Sequence, residues 1–147
     1  MRLEGFDYER LIKKSSLNNR RLAEVDRCIG PVRHKGPMLK RDAEFMLAGK
    51  GRPVKISMPG PMTVVNSTAN ERYRDEAAIA MDVAATLNVE ARQLDAIGVA
   101  VIEFDELVFS RYPNKVKEWG ITALGRCLEA GSRAARPLPF KIRDVRM

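Results

Sequence analysis

Two short apolar runs have the composition of buried strands, and each is followed directly by residues that do not continue a buried strand. Residues 100–104 are rich in β-branched and aromatic side chains, and the adjacent acids Asp105 and Glu106 follow them. Residues 53–58 form the other run, which Pro59-Gly60-Pro61 ends in a turn, because proline cannot donate to a sheet ladder. On the residues alone, the two acids are most simply a solvated strand end.

The chain between these runs has the period of a helix. From about residue 71 to residue 96, apolar side chains recur at steps of four and three, at Ala80, Ala84, Leu87, Ala91 and Leu94. Residues 62–68 are predicted to be a polar-tipped loop. Strand, helix and parallel strand make a βαβ unit, whose strands end at one edge of the sheet. We therefore expect Asp105 to lie on the same edge as Gly60.

Two further helices are predicted, over residues 40–48 and from Pro113 onward. The order of elements is then α, β, α, β, α, which indicates an α/β fold with a parallel sheet that forms part of a barrel. Residues 7–14 and 17–25 are each predicted to form one or two helical turns. Lys13-Lys14 is interpreted as a solvent-facing pair on the first of them.

Two motifs and their separation resemble the cobalamin-independent methionine synthase family. Residues 53–63 resemble its strand PVK-x-x-x-PGP-x-T, and residues 101–106 resemble its strand ending IQIDEPA. The resemblance covers about residues 29–130 and implies a partial (β/α)₈ barrel of the TIM type. It also implies methyl transfer from a methyl-tetrahydrofolate donor to homocysteine, with a zinc ion that converts the thiol to a thiolate. By resemblance, Asp105 binds the amino group of the substrate and Glu106 supports it.

The chain departs from the family pattern at several positions. Leu107 replaces the proline of the motif, so a less constrained turn is expected after the acids. Ser67 stands where some family members have a tryptophan that stacks on the folate ring, which leaves open a different donor or donor pose. The His-x-Cys pair of the family's zinc site has no counterpart among the two cysteines and one histidine, Cys28, Cys127 and His34. We interpret the cysteines as reduced, non-ligating thiols and His34 as exposed, and expect no tight zinc binding by this chain alone.

The length and net charge of the chain bear on its domain organisation and its partners. A complete barrel needs roughly 250 residues, and the chain has 147 with a net charge of +7. We predict a partial barrel domain over residues 1–131 and a basic tail rich in proline and arginine over 132–147. The tail is either disordered or loosely packed, or it is the vestigial or out-of-frame end of an interrupted gene. An open sheet edge predicts self-association. No motif of a nucleic-acid reader is apparent, and no signal peptide or apolar run of about twenty residues indicates a membrane protein, so the cytoplasm is the expected location.

Two hypotheses for the function follow. In the first, the chain is an enzyme, or part of one: a methyltransferase of the methionine-synthase type. In the second, it is a non-catalytic remnant or binding module on the same scaffold. A His-x-Cys-bearing polypeptide encoded directly downstream would favour the first. A third class, a basic nucleic-acid binder, would show steep dependence of binding on salt.

Overall fold

The computed structural model describes residues 3–16, 21–49, 51–129 and 140–143. The strands are β1 (Glu4–Ser16), β2 (Arg21–Arg33), β3 (Lys55–Pro59), β4 (Thr68–Asn70), β5 (Val101–Asp105) and β6 (Phe140–Arg143). The helices are α1 (Lys40–Ala48), α2 (Pro61–Asn66), α3 (Glu76–Ala96), α4 (Pro113–Lys115) and α5 (Ile121–Cys127), and a π-helical turn (Val116–Gly120) joins the last two. No helix in these described ranges is long and apolar enough to cross a membrane.

The predicted βαβ unit is confirmed. Strands β3 and β5 pair in parallel, with Ile56 opposite Ile102 and Pro59 opposite Asp105, and α3 connects them. The apolar positions predicted for α3 are all fully buried. They share one core with Met58 of β3, with Phe104 of β5 and with the helix that follows β5. The α/β class and the partial parallel barrel are therefore confirmed.

Helix α3 begins and ends at residues with specific local roles. The Asp75 carboxylate accepts a hydrogen bond of 2.8 Å from the Ala78 N–H, which caps the first turn. Gly98 follows the last turn with a φ of +94°, a conformation that glycine adopts without steric cost. Helix α1 has the bounds that its pattern predicts.

The prediction of helical turns in the first 25 residues is wrong. The described parts of this region belong to β1 and β2, which form a long antiparallel ribbon with irregular register. Most of β1 is exposed, so no apolar alternation marks it as a strand in the sequence. The ribbon joins the rest of the molecule through β4, which pairs in parallel with β2.

The predicted loop at 62–68 is also wrong, because most of it is α2 and the first residue of β4. Pro61 occupies the first turn of α2, where a missing N–H costs nothing. The predicted tail falls largely outside the described residues, and the division at residue 131 stays a prediction. Its four described residues form β6, which pairs in parallel with β5.

Candidate active site

The candidate site lies at the carboxyl edge of the β3–β5 pair. The Gly60 N–H donates a hydrogen bond of 3.0 Å to the Asp105 carbonyl oxygen. The predicted placement of both strand ends on one edge is therefore confirmed. In parallel α/β sheets this edge is where ligands bind.

The Asp105 side chain is half-buried at this edge. Its Oδ1 atom is buried and has no hydrogen-bond partner within the described part of the chain. Buried carboxylate oxygens are normally hydrogen-bonded, so such an atom needs an explanation. A ligand that carries N–H donors would satisfy it.

The Glu106 side chain lies in a different environment, because it is fully buried against α2. Its Oε1 accepts a hydrogen bond from the Met62 N–H at 2.9 Å. Its Oε2 accepts from the Thr63 N–H at 2.9 Å and from the Thr63 hydroxyl at 2.8 Å. Burial raises the pKa of Glu106 although these donors favour the ionised form.

Thr63 also constrains the chain after the acids. Its Oγ1 accepts a hydrogen bond of 2.9 Å from the Leu107 N–H. Proline has no N–H and could not make this bond. The turn that Leu107 was expected to loosen thus has a hydrogen bond of its own.

A second polar cluster, which the sequence reasoning missed, lies on the same face of the sheet as Asp105. Glu103 precedes Asp105 by two residues, so both side chains project from one face. The Glu103 side chain is 2% exposed and accepts hydrogen bonds from Lys55 at 3.3 Å and from Ser57 at 3.2 Å. In the sequence, its signal is one polar residue inside each predicted strand, Ser57 and Glu103, and the structure places these two residues opposite each other.

A cavity of about 330 Å³ lies beside this edge. The β1–β2 ribbon lines it with Lys14, Ala23 and Val25. Thr63 of α2, Ser67 at the end of α2 and Leu107 after β5 also line it, among others. Its walls are mainly apolar, with a few polar groups, as is typical of small-molecule sites.

The interpretation of Lys14 as a solvent-facing charge is wrong. Its ammonium group donates to the carbonyl oxygens of Asn66 at 3.0 Å and Thr68 at 2.7 Å, at the end of α2. Partial burial lowers the pKa of Lys14. The residue therefore joins the ribbon to the loop that borders the cavity.

The three candidate zinc ligands do not come together. Cys28 is buried and donates to the Gly30 carbonyl oxygen at 3.5 Å. Cys127 is buried in the apolar core, as its position on a helix face predicted, and burial raises the pKa of its thiol. His34, predicted to be exposed, has a side chain only 12% exposed and lies 2.9 Å from the buried carboxylate of Glu90. Among the residues the structure describes, no group of three histidine, cysteine or acidic side chains could hold a metal ion.

Glu90 is fully buried, as are Glu103 and Glu106. Glu90 accepts hydrogen bonds from the Met38 and Leu39 N–H groups at the start of α1, at 2.7 to 3.1 Å. It lies in the last third of α3, which leads into the amino end of β5. Glu90 therefore stabilises the fold away from the candidate site.

The chain is similar to a solved structure and to two further proteins of known activity. The structure of a B12-independent methionine synthase from Shewanella sp. W3-18-1, in complex with selenomethionine, superposes with a TM-score of 0.82 and 32% sequence identity, over 88% of this chain and 38% of that one. A methionine synthase from Sulfurisphaera tokodaii is 29% identical over 87% of this chain and 37% of its own length. A 2-hydroxypropyl-CoM lyase from Xanthobacter autotrophicus is 27% identical over 71% of this chain and 27% of its own length.

The chain therefore spans between 27% and 38% of the length of these three relatives. The family model described as the catalytic domain of cobalamin-independent synthase matches residues 19–123, which include both strand ends of the candidate site. The chain therefore belongs to the cobalamin-independent synthase family, as a partial segment of its catalytic domain.

Proposed function

We propose that the chain is part of a methyltransferase that moves a methyl group from a methyl-tetrahydrofolate-type donor to the thiol of homocysteine. Family membership and the methionine synthases among its relatives support this proposal. The observation that carries it is the position of Asp105, with its buried and unpartnered carboxylate oxygen at the carboxyl edge of β5.

The proposed role of Asp105 is to bind the ammonium group of the amino-acid substrate. An ammonium group supplies three N–H donors and a positive charge, which match a carboxylate with an oxygen that has no partner among the described residues. Selenomethionine, the ligand of the Shewanella protein, carries the same ammonium group. The substrate would then be oriented with its sulfur directed away from Asp105.

The cavity beside Thr63 and Leu107 is the proposed place for the donor, because it borders the same strand edge. In the transfer, the thiolate sulfur forms a bond to the methyl carbon, the carbon–nitrogen bond of the donor breaks, and the donor nitrogen takes up a proton to leave as a neutral amine. Ser67 lines the cavity and cannot stack on a pterin ring, so apolar contacts from Val25 and Leu107 would hold the donor instead.

The zinc ion that the family implies does not fit the described residues. Cys28, Cys127 and His34 each have protein partners or core positions of their own, and no described cluster offers three ligands. A free thiol with a pKa near 8.5 is only about a few per cent ionised at neutral pH. We therefore expect no measurable homocysteine methylation by this chain alone.

The absence of a ligand cluster in the described residues favours a second candidate, a binding module that retains the amino-acid site without catalysis. Both candidates predict no turnover by this chain alone, so the observation that separates them is a His-x-Cys-bearing polypeptide encoded directly downstream. Adding that polypeptide and zinc should give methyl transfer from a methyl-tetrahydrofolate only if the chain is part of an enzyme. Turnover by the chain alone that disappears in Asp105→Ala would show that the metal argument is wrong.

Binding of L-homocysteine, measured by calorimetry under reducing conditions, tests the site itself. We expect Asp105→Asn to weaken binding by about tenfold or more, because a neutral amide loses the charge-assisted hydrogen bond. Asp42→Asn, a change at an exposed position of α1, is the matched control and should leave affinity unchanged. Equal affinity of the wild type and Asp105→Asn would refute the assignment.

A further inference from the structure

We infer that Glu106 is a positioning residue that sets where the Asp105 carboxylate lies. It does so by holding the first turn of α2 against the end of β5. This inference rests on the proposed function, in which Asp105 binds the substrate's ammonium group.

Glu106 itself has no access to a ligand. The side chain is fully buried, and its two oxygens already accept three hydrogen bonds from Met62 and Thr63. An ionised carboxylate in this position is satisfied by the protein alone. Glu106 therefore cannot bind the substrate by direct contact, and a structural effect on binding must pass through neighbouring groups.

The hydrogen bonds of this region reach Asp105 from both sides. Before α2, the Gly60 N–H donates to the Asp105 carbonyl oxygen. After Glu106, the Leu107 N–H donates to the same Thr63 hydroxyl that donates to Glu106. The main chain at Asp105 is thus fixed between two anchored segments, while its Oδ1 has no partner in the described ranges.

The Glu106 side chain packs closely against the turn that precedes α2. A Cβ atom built on Gly60 would lie 2.4 Å from the Glu106 carboxyl carbon, so this side chain covers the turn directly. Phe104 and Glu106, the neighbours of Asp105, are both fully buried. Rigid neighbours of this kind hold a binding group in place before the ligand arrives.

Two probes separate positioning from general loss of structure. L-methionine carries the ammonium group, and 4-(methylthio)butanoate is the same molecule without it. We expect Glu106→Gln to weaken L-methionine binding by about tenfold, because Gln cannot accept all three hydrogen bonds and Asp105 shifts. Binding of 4-(methylthio)butanoate should change little, since it makes no contact with Asp105.

Four further variants sharpen the experiment. Glu90→Gln, the other fully buried glutamate that accepts N–H groups at the start of a helix, should keep the preference for L-methionine. In an Asp105→Asn background, Glu106→Gln should add no further loss, because the two residues act as one unit. If Glu106→Gln does not fold, Thr63→Val removes the hydroxyl that links Glu106 to Leu107, and Thr63→Ser should restore binding.

The inference fails if Glu106→Gln keeps the full preference for L-methionine, or if it weakens both probes equally. Failure of the proposed function looks different, since the wild type would then show no preference or keep it in Asp105→Asn. In that case, amide hydrogen exchange tests whether Glu106 positions the main chain at Asp105. Faster exchange of the Gly60 and Leu107 amides in Glu106→Gln would support the positioning role, and unchanged exchange would overturn it.

Discussion

Asp105 and Glu106 are adjacent in the chain, yet their carboxylates have different surroundings. Alternation along β5 directs the Asp105 side chain to the same face as Glu103, and the strand end then turns Glu106 into the space under Gly60. One acid keeps an unpartnered oxygen, and the other is fully hydrogen-bonded. A pair of acids at a strand end can thus divide binding and structural roles between them.

The close contact between Gly60 and the Glu106 side chain leads to a prediction. The Gly60 φ of −75° suits any residue, so the requirement for glycine is one of space alone. Gly60→Ala would place a methyl group 2.4 Å from the Glu106 carboxylate and should lower the free energy of unfolding by about 2 kcal/mol. Urea denaturation of both proteins measures the difference.

Gly125→Ala is the matched control for this change. Gly125 lies in α5, and a Cβ atom there would meet nothing within 4 Å. The substitution should raise the free energy of unfolding by roughly 0.5–1 kcal/mol, through the better helix propensity of alanine. Similar effects of the two substitutions would contradict the steric argument.

The partners of single polar residues were beyond sequence reasoning. His34 lies between two basic residues, which suggested exposure, but its partner Glu90 is 56 positions away. Lys14 likewise contacts carbonyl groups more than 50 positions along the chain. Local patterns carry no information about such long-range pairs, because they depend on how the elements pack.

At the scale of elements, the β1–β2 ribbon is tied to the barrel segment by an ion pair. The Arg27 guanidinium donates two hydrogen bonds to the Glu71 carboxylate, at 2.8 and 2.6 Å. Hydrogen bonding to Arg27 lowers the pKa of Glu71 below its ordinary value of 4.5. The pair joins β2 to the residue that follows β4.

This geometry predicts how Glu71→Gln depends on pH. Because the pKa of Glu71 is lowered in the folded state, its stabilising effect is present above pH 4.5 and is lost as the pH falls through the folded-state value. Glu71→Gln should therefore lower the melting temperature slightly at pH 7, and the difference from the wild type should vanish in strong acid. Thermal denaturation from pH 3 to pH 7 tests this.

Ionic strength and a control variant complete that experiment. High salt should reduce the difference at pH 7, since both side chains are partly exposed. Glu44→Gln removes an exposed pair within α1, with Lys40 at 3.7 Å, and should change little at any pH. A Glu71→Gln effect that persists unchanged in acid would show that the ion pair is not its cause.

The elements that the sequence predicts well are those with strong periodicity and buried faces. Helix α3 and strand β5 have continuous apolar patterns, because each packs on the core. The ribbon has no such pattern, since most of β1 is exposed and the buried residues of β2, Val25, Cys28 and Val32, are three and four positions apart. Helix α2 was missed because six residues are too few for a period, and because its cap, Glu106, comes from a distant strand.

At the scale of the whole molecule, the second sheet has the order β3-β5-β6, so β3 has no strand on its other edge among the described residues. Val54 and Gly60, the residues directly before and after β3, both form backbone hydrogen bonds with the segment around β5. By alternation, the backbone groups of Lys55 and Ser57 point to the open edge. An unpaired edge of this kind is a template for another strand.

We therefore predict that the chain self-associates, in a concentration-dependent way that light scattering can measure. Ser57→Pro should reduce the association, because it removes an N–H from the open edge and leaves the groups that face β5 in place. Ser57→Thr is the control, since it keeps the N–H and the hydroxyl that donates to Glu103 and should associate like the wild type. A wild type that remains a monodisperse monomer at all concentrations would show that the open edge of β3 does not pair with a second copy.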